Sequence, residues 1–272
     1  MNIAHVINIF KCDPNHKSYL YYALPITVTS MEVSKKHSLK KGIKVDLYAA
    51  IFKEDEKYVP KSFTKLKFLQ KSTDKYLNTK KKLPYIKEII TKLYFESKAD
   101  YFIYTNADIG LSKNFYEEVY KLIKKNKLES LIINRRDNIP KFYKGKRLTY
   151  NNLELIYDIK GDIHNGWDCF IFHRKLVNKF YLDKLFIGFP PWGFILKLQL
   201  ELLSTNFYEF KNLFLTFHIG KDESWNDFDT NKISNKLIQE NLKNSQEIIN
   251  KMHKYKILKD NNIDIIYLLN KK

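Results

Sequence analysis

Ala99–Lys113 reads ADYFIYTNADIGLSK. Tyr101–Thr105 is an unbroken run of aromatic and β-branched residues of strand length, the pattern of a strand covered on both faces. It enters a polar tip, Asn106-Ala107-Asp108, and breaks at Gly110. Asn106 and Asp108 are two residues apart, so in an extended tip both side chains point to the same side. An amide oxygen and a carboxylate at the carboxyl end of a buried strand can hold a hard divalent cation. Such a cation keeps waters and binds a substrate's phosphates as well. The same residues also suit a plain strand-to-turn cap.

The flanking sequence predicts an α/β framework around this strand. Ile3–Phe10 is a continuous apolar run, Lys11–Lys17 a loop with Asp13-Pro14-Asn15, and Tyr19–Ser38 a helical pattern that must accommodate Pro25. Val45–Phe52 is a second buried strand. Strand, helix, strand at these lengths is a βαβ unit and implies a parallel pair. A polar stretch with a short strand at Leu66–Leu69 follows. Then come a helix opened by Leu83-Pro84 and running through Ser97, a helix over Asn114–Asn126 and a strand at Leu131–Asn134. The alternation predicts a doubly wound, mainly parallel sheet flanked by helices, with ligands beyond the carboxyl ends of the strands.

Beyond Asn138 the pattern is weaker. It gives a helix or loop at Leu148–Ile159, a strand at Gly166–Phe172, a short helix at Arg174–Tyr181 and a rigid aromatic turn at Phe189–Gly193. Ile195–Ser204 is helical, and a strand at Leu213–Phe217 ends on His218. Lys232–Tyr255 is an amphipathic helix whose buried face would be Leu237, Ile238, Leu242, Ile248, Ile249 and Met252. Ile263–Leu269 is an apolar tail. With no repeat and no linker, residues 1–230 read as one domain, and residues 231–272 as a C-terminal helical extension packed on it.

Hydrophobic residues make up 44% of the 272, enough for a sizeable core. The formal net charge of +18 leaves three partner classes in play: nucleic acid, an anionic membrane surface and phosphorylated small molecules. The lysines are spread along the chain and no Arg-rich tract or nucleic-acid-binding motif occurs, so nucleic acid is not expected. The Lys-for-Arg bias, with many Asn and Ile, also fits a compositional drift of the genome. Cys12 and Cys169 make no metal pattern or disulfide framework and suit a reducing compartment. The first residues, MNIAHVINIF, lack a signal peptide's basic region and cleavage site. No apolar run has membrane-spanning length. The expected location is the cytoplasm, with a peripheral contact at the inner membrane surface through the basic C-terminal helix as a further option.

Three other stretches carry chemistry. FLTFHIGKDESW, Phe214–Trp225, ends an apolar run on His218, and an imidazole there could complete coordination begun by Asp108. Lys221 could neutralise a diphosphate or be a solvated loop charge. HNGWDCFIFHR, His164–Arg174, places Asp168 just before an apolar strand. That carboxylate could serve as a general base or bind sugar hydroxyls, with Trp167 stacking on a sugar face, or it could mark a simple bend. Asn134-Arg135-Arg136-Asp137 ends a strand with two guanidiniums, suited to phosphate or to an internal ion pair with Asp137.

In this order, the N-terminal βαβ, TNADI, GWDCFIF and LTFHIG resemble a nucleotide-sugar-dependent glycosyltransferase of the GT-A fold, over roughly Ile3–Trp225. The resemblance implies a Rossmann-type mixed sheet and an Asp-x-Asp-like motif that holds Mg²⁺ or Mn²⁺ against a nucleoside-diphosphate sugar. By that likeness Asp108 is the main metal ligand and His218 the late one. Asn106 stands at the first motif position, where a neutral amide binds a cation more weakly than Asp. Asp46 is a candidate for the base or ribose, Arg135 and Lys221 for the diphosphate, and Asp168 for the donor sugar or acceptor. The implied reaction moves a sugar to an acceptor hydroxyl on a glycan or lipid-linked acceptor, in surface polysaccharide or glycoconjugate synthesis.

Two other functions share part of this evidence. A sugar-1-phosphate nucleotidyltransferase has the same general plan, but normally needs a Gly-rich loop after the first strand. Lys11–Lys17 contains no Gly. A non-enzymatic polyanion-binding protein would account for the charge alone.

Overall fold

The structure is a computed structural model and describes residues 1–11, 19–77, 79–219 and 231–255. Strand β1 (Ile3–Asn8), helix α1 (Tyr19–Leu39) and strand β2 (Val45–Ala50) form the expected parallel βαβ unit. There follow β3 (Thr64–Lys65), α2 (Thr73–Leu77), α3 (Ile86–Glu96), β4 (Tyr101–Thr105), β5 (Ile109–Leu111), α4 (Phe115–Asn126) and β6 (Ser130–Ile133). The second half carries β7 (Arg136–Ile139), a hairpin of β8 (Phe142–Tyr143) and β9 (Lys146–Arg147), α5 (Leu153–Tyr157), β10 (Asp162–Ile163) and β11 (Cys169–His173). It closes with α6 (Trp192–Leu203), β12 (Phe207–Phe210), β13 (Thr216–Ile219) and α7 (Asn231–Lys254).

The main sheet has the order β12-β6-β11-β4-β1-β2-β3. β11 is antiparallel to both of its neighbours and the other pairs are parallel. This is the mixed, mainly parallel plan expected from the GT-A resemblance. A period of two along each strand divides its side chains between two cores. Phe102, Tyr104, Phe170 and Phe172 enter one core, which α3, α6 and α7 cover. Ile103, Cys169, Ile171, Leu131 and Ile133 enter the other, under α1 and α4. Cys169 is therefore a packed core residue, and burial pushes its thiol well above the ordinary range.

A second sheet, β10-β7-β13-β5, stands beside the first. The chain passes from β4 to β5 through Asn106–Asp108, so the candidate motif is the hinge between the sheets. Gly110 does not break the chain as expected but sits in the middle of β5. Its reason is contact. A Cβ there would lie 2.3 Å from the buried Phe217 ring of β13.

Other differences have equally local causes. The Leu66–Leu69 segment is not a strand. Thr64–Lys65 pairs with β2 instead, while the N–H groups of Leu66 and Leu69 still donate to the carbonyls of Ala49 and Ile51. β7 and β12 were not expected. In β7, polar residues fill a buried strand because each has a partner elsewhere: Arg136 donates to the carbonyls of Ile156 (3.4 Å) and Ile159, and Asp137 meets Arg135 and His218. The buried face of α7 is as expected at Leu237, Ile248, Ile249 and Met252, with Ile238 and Leu242 partly buried. The fully buried Asn241 adds a polar clasp. Its Nδ2 donates to the carbonyls of Phe186 (3.0 Å) and Phe189 (2.7 Å), and its Oδ1 accepts from the Phe186 N–H (3.3 Å). The Ile263–Leu269 tail lies outside the described residues.

Gly110→Ala drives a methyl group into the Phe217 ring and is expected to destabilise the fold by about 1–3 kcal/mol, the usual cost of overpacking. Urea denaturation measures it; an unchanged midpoint would mean that the two sheets are not locked by this contact.

Candidate active site at the strand ends

β1, β2, β4 and β6 point the same way, so their carboxyl ends share one rim of the sheet. β11 runs against them, which brings its start to the same rim. Cys169 pairs with Thr105, so Asp168 lies beside Asn106. The Asn106 N–H donates to the Asp168 carbonyl (3.2 Å) and its Nδ2 to Asp168 Oδ1 (2.8 Å). Arg135, leaving the end of β6, donates through one nitrogen to Asp168 Oδ2 and through the other to Asp137 Oδ2 (3.3 Å). Asp137 Oδ1 contacts His218 Nδ1 at 3.1 Å, and His218 Nε2 faces Asp108 Oδ2 at 3.5 Å. Asp108, His218, Asp168, Asn106 and Arg135 are thus brought together, with Asp137 as the connecting member.

Burial makes these contacts matter. Arg135, Asp137, Asp168 and His218 are all under a tenth exposed, whereas the Asp108 side chain keeps 20% of its surface. Burial alone would hold His218 neutral. The carboxylates of Asp108 and Asp137 outweigh that, with Arg135 opposing them, and the imidazole is pushed up to about 10. Burial likewise works against ionisation of Asp108 and Asp137. His218 and Arg135 more than offset it, and both carboxyls lie below the ordinary range. Among the described residues, three carboxylates meet one guanidinium and one imidazolium.

Among the described residues no group of three or more carboxylate, imidazole or thiol side chains is arranged to hold a metal ion. What the rim offers is a facing pair, Asp108 Oδ2 and His218 Nε2, with the far ring nitrogen held by Asp137. A carboxylate on the outer nitrogen of a ligating imidazole is the usual support for a metal-binding histidine. A pair of this kind suits a hard divalent cation that draws its other ligands from a diphosphate and water. Asn106 is tied to Asp168. Its amide nitrogen is spent on Asp168, and its oxygen lies 3.5 Å from the Tyr104 hydroxyl.

Asp46 is not brought to the site. It pairs with Ala4 at the start of β2, beside Lys44 at 4.0 Å. In parallel strands, first and last residues emerge at opposite rims, here separated by four residues, or about 13 Å. The carboxylate found past the carboxyl end of β2 is Asp55, which is buried and accepts the Lys11 N–H at 2.9 Å. Lys221 lies outside the described residues. Trp167 is half-buried, packs on Phe194 and donates to Glu209 (3.0 Å).

Two residues escaped the sequence reading. Asp137 was read only as an arginine's partner; the signal was a carboxylate three residues past a strand end. His164 lies 4.0 Å from Asp137 and accepts the Gly166 N–H at 2.8 Å. A Cβ on Gly166 would meet the His164 ring at 2.6 Å and Asp168 at 3.0 Å, so glycine is what lets both side chains fold onto one loop.

No protein-family model and no curated protein sequence matches the chain. Among solved structures it is similar to residues 1–349 of S. aureus TarS in complex with UDP-GlcNAc. The TM-score is 0.46 and the identity 8%, over 82% of this chain and 59% of that one. It is also similar to a protein from Bacillus anthracis described as a glucose-1-phosphate thymidylyltransferase (TM-score 0.44, 11% identity, 87% and 95% covered). A third likeness is to the bifunctional IspDF of Campylobacter jejuni (TM-score 0.39, 10% identity, 82% and 51% covered). The chain thus spans about three-fifths of the TarS segment.

The charge pattern fixes a pH response. His218 binds its proton more tightly folded than unfolded, so its contribution to stability is complete below pH 6.5 and fades as pH climbs toward 10. Asp108 and Asp137 have the opposite sign, and their contribution is lost on acidification. In buffer with a chelator, the melting temperature should therefore fall on the alkaline side of neutrality, and Asp137→Asn should start that fall at lower pH. Coincident alkaline limbs for wild type and variant would disprove the His218–Asp137 coupling.

Proposed function

We propose that the chain is a glycosyltransferase that moves a sugar from a nucleoside-diphosphate sugar to an acceptor hydroxyl. The observation that carries this reading is the Asp108–His218 pair, backed by Asp137, on the carboxyl rim of a mainly parallel sheet. A diphosphate is anionic and would be repelled by the carboxylates of Asp108, Asp137 and Asp168. Asp108 and His218 would hold a divalent cation between the two, and such a cation would supply the positive charge that a leaving diphosphate needs. Mn²⁺ and Mg²⁺ both suit oxygen and imidazole donors.

The remaining residues take roles from their positions. Asp137 keeps the His218 ring oriented and Arg135 bridges Asp137 to Asp168. The nucleoside would lie over the ends of β1 and β2, against Asp55 and Lys11, in place of Asp46. Asp168 is the acceptor-side carboxylate. As the sugar's anomeric carbon loses its bond to diphosphate oxygen and gains one to the acceptor oxygen, the acceptor proton would pass to Asp168 Oδ1. Among the described residues that oxygen is held by the neutral Asn106 amide, whereas Oδ2 is held by the Arg135 guanidinium. Lys221 stands as a diphosphate partner on sequence grounds, and the acceptor class, a glycan or lipid-linked hydroxyl, likewise.

The test is thermal denaturation with UDP, GDP, CDP and dTDP, each with and without Mn²⁺. At least one pair should raise the melting temperature by about 5 °C, as saturation near 100 times Kd would. Asp108→Ala should abolish the shift, while Asp168→Asn should keep the shift and lose slow hydrolysis of the matching nucleotide sugar. No response to any nucleoside diphosphate would overturn the proposal. Pyrophosphate release from a nucleoside triphosphate and a sugar phosphate would replace it with nucleotidyl transfer.

A further inference from the structure

The β8–β9 hairpin belongs to neither large sheet. Its turn, Lys144-Gly145, has both φ angles positive (49° and 71°), the tight form that matches strand twist and fixes a hairpin's shape. The stretch Lys141–Asn152, KFYKGKRLTYNN, carries four cationic residues and no acidic one. Phe142 on β8 is 64% exposed and Tyr150, just past the hairpin, 50%. Lys144 and Lys146 are exposed, and no ion pair joins either to a carboxylate among the described residues. Lys144 instead lies over the Tyr143 ring at 5.1 Å. β7, which carries Asp137, leads into this hairpin within a few residues.

We propose that this hairpin is a membrane-surface contact that docks on anionic lipid, with Phe142 entering the interface and Lys144 and Lys146 among the headgroups, while Arg147 lies over the Tyr22 ring of α1 at 5.0 Å. An exposed phenylalanine is costly in water and favourable at a bilayer interface, and basic residues beside it are drawn to the negative leaflet. A single-stranded nucleic acid would also use the lysines and stack a base on Phe142, but the chain shows no nucleic-acid-binding motif, and the experiment separates the two partners. The contact differs from the one expected at the C-terminal helix. It stands on the hairpin alone and is independent of the sugar-transfer reading. If both hold, the hairpin would keep the strand-end cleft close to the bilayer surface.

The experiment is co-sedimentation of the full chain with vesicles of phosphatidylcholine, and of phosphatidylcholine with 30% phosphatidylglycerol, an anionic fraction on the order of that in many membranes. Binding should require phosphatidylglycerol. Lys144→Glu/Lys146→Glu should weaken it at least about tenfold, and Phe142→Ala should weaken it severalfold at salt that screens exposed charges. The control is Lys40→Glu/Lys41→Glu, with the same change in charge on exposed residues that precede β2, at the amino rim. It should change binding less than about twofold if the hairpin is the contact. Circular dichroism checks that each variant is folded. Equal losses from the two lysine pairs would overturn the proposal in favour of diffuse charge. So would equal binding to both vesicle types, or a hairpin variant that loses binding to single-stranded nucleic acid in the same proportion as to vesicles.

Discussion

A closed circuit of polar contacts holds the strand ends together. It runs Asn106, Asp168, Arg135, Asp137, His218 and Asp108, and Asp108 returns through the backbone to Asn106. Its members come from four separate stretches of the chain, and two sheets meet across it. Isolated buried charges cost several kcal/mol each, so such groups persist only when each has a partner of opposite sign. Removing one member strands two others. The geometry of the hinge between β4 and β5 therefore depends on residues as distant in the chain as His218.

The apolar layers and the circuit divide the work. The aliphatic and aromatic alternation along β1, β2, β4, β6 and β11 supplies the stabilising burial and fixes which end of each strand faces which rim. It says little about what stands at the rim. Below the hinge, a second buried imidazole shows the contrast. His5 sits between Tyr116 Oη (2.8 Å) and Thr105 Oγ1 (2.9 Å), with no carboxylate contact among the described residues, and burial lowers it to about 3. His5 stays neutral and ties β1 to α4 and β4; His218, between two carboxylates, carries charge. The same side chain is structural in one place and chemical in the other because of its neighbours.

Much of this was readable in the chain. Tyr101–Thr105 gave a strand at its observed bounds because a fully buried strand needs an uninterrupted apolar run. Asp108 and His218 could be paired because each ends such a run. What failed was whatever depends on direction or on distant partners. Asp46 lies in a correctly read strand but at its wrong end. Arg136-Asp137-Asn138 looks like a loop, and only its partners on β10 and β13 make it a strand. Gly110 reads as a turn until the Phe217 ring is seen against it. Asn241 interrupts the apolar face of α7, and only the backbone of Phe186 and Phe189 explains it.

That asparagine bears on how separable the C-terminal helix is. Detaching α7 would strip three hydrogen-bonding groups of the Phe186–Phe189 backbone of their partner and lay bare the hydrocarbon beneath Ile248, Ile249 and Met252. The same short segment leads into Trp192, whose ring meets Tyr104 edge-on directly under the hinge. A cut at residue 230 would divide the numbering without dividing the folding unit.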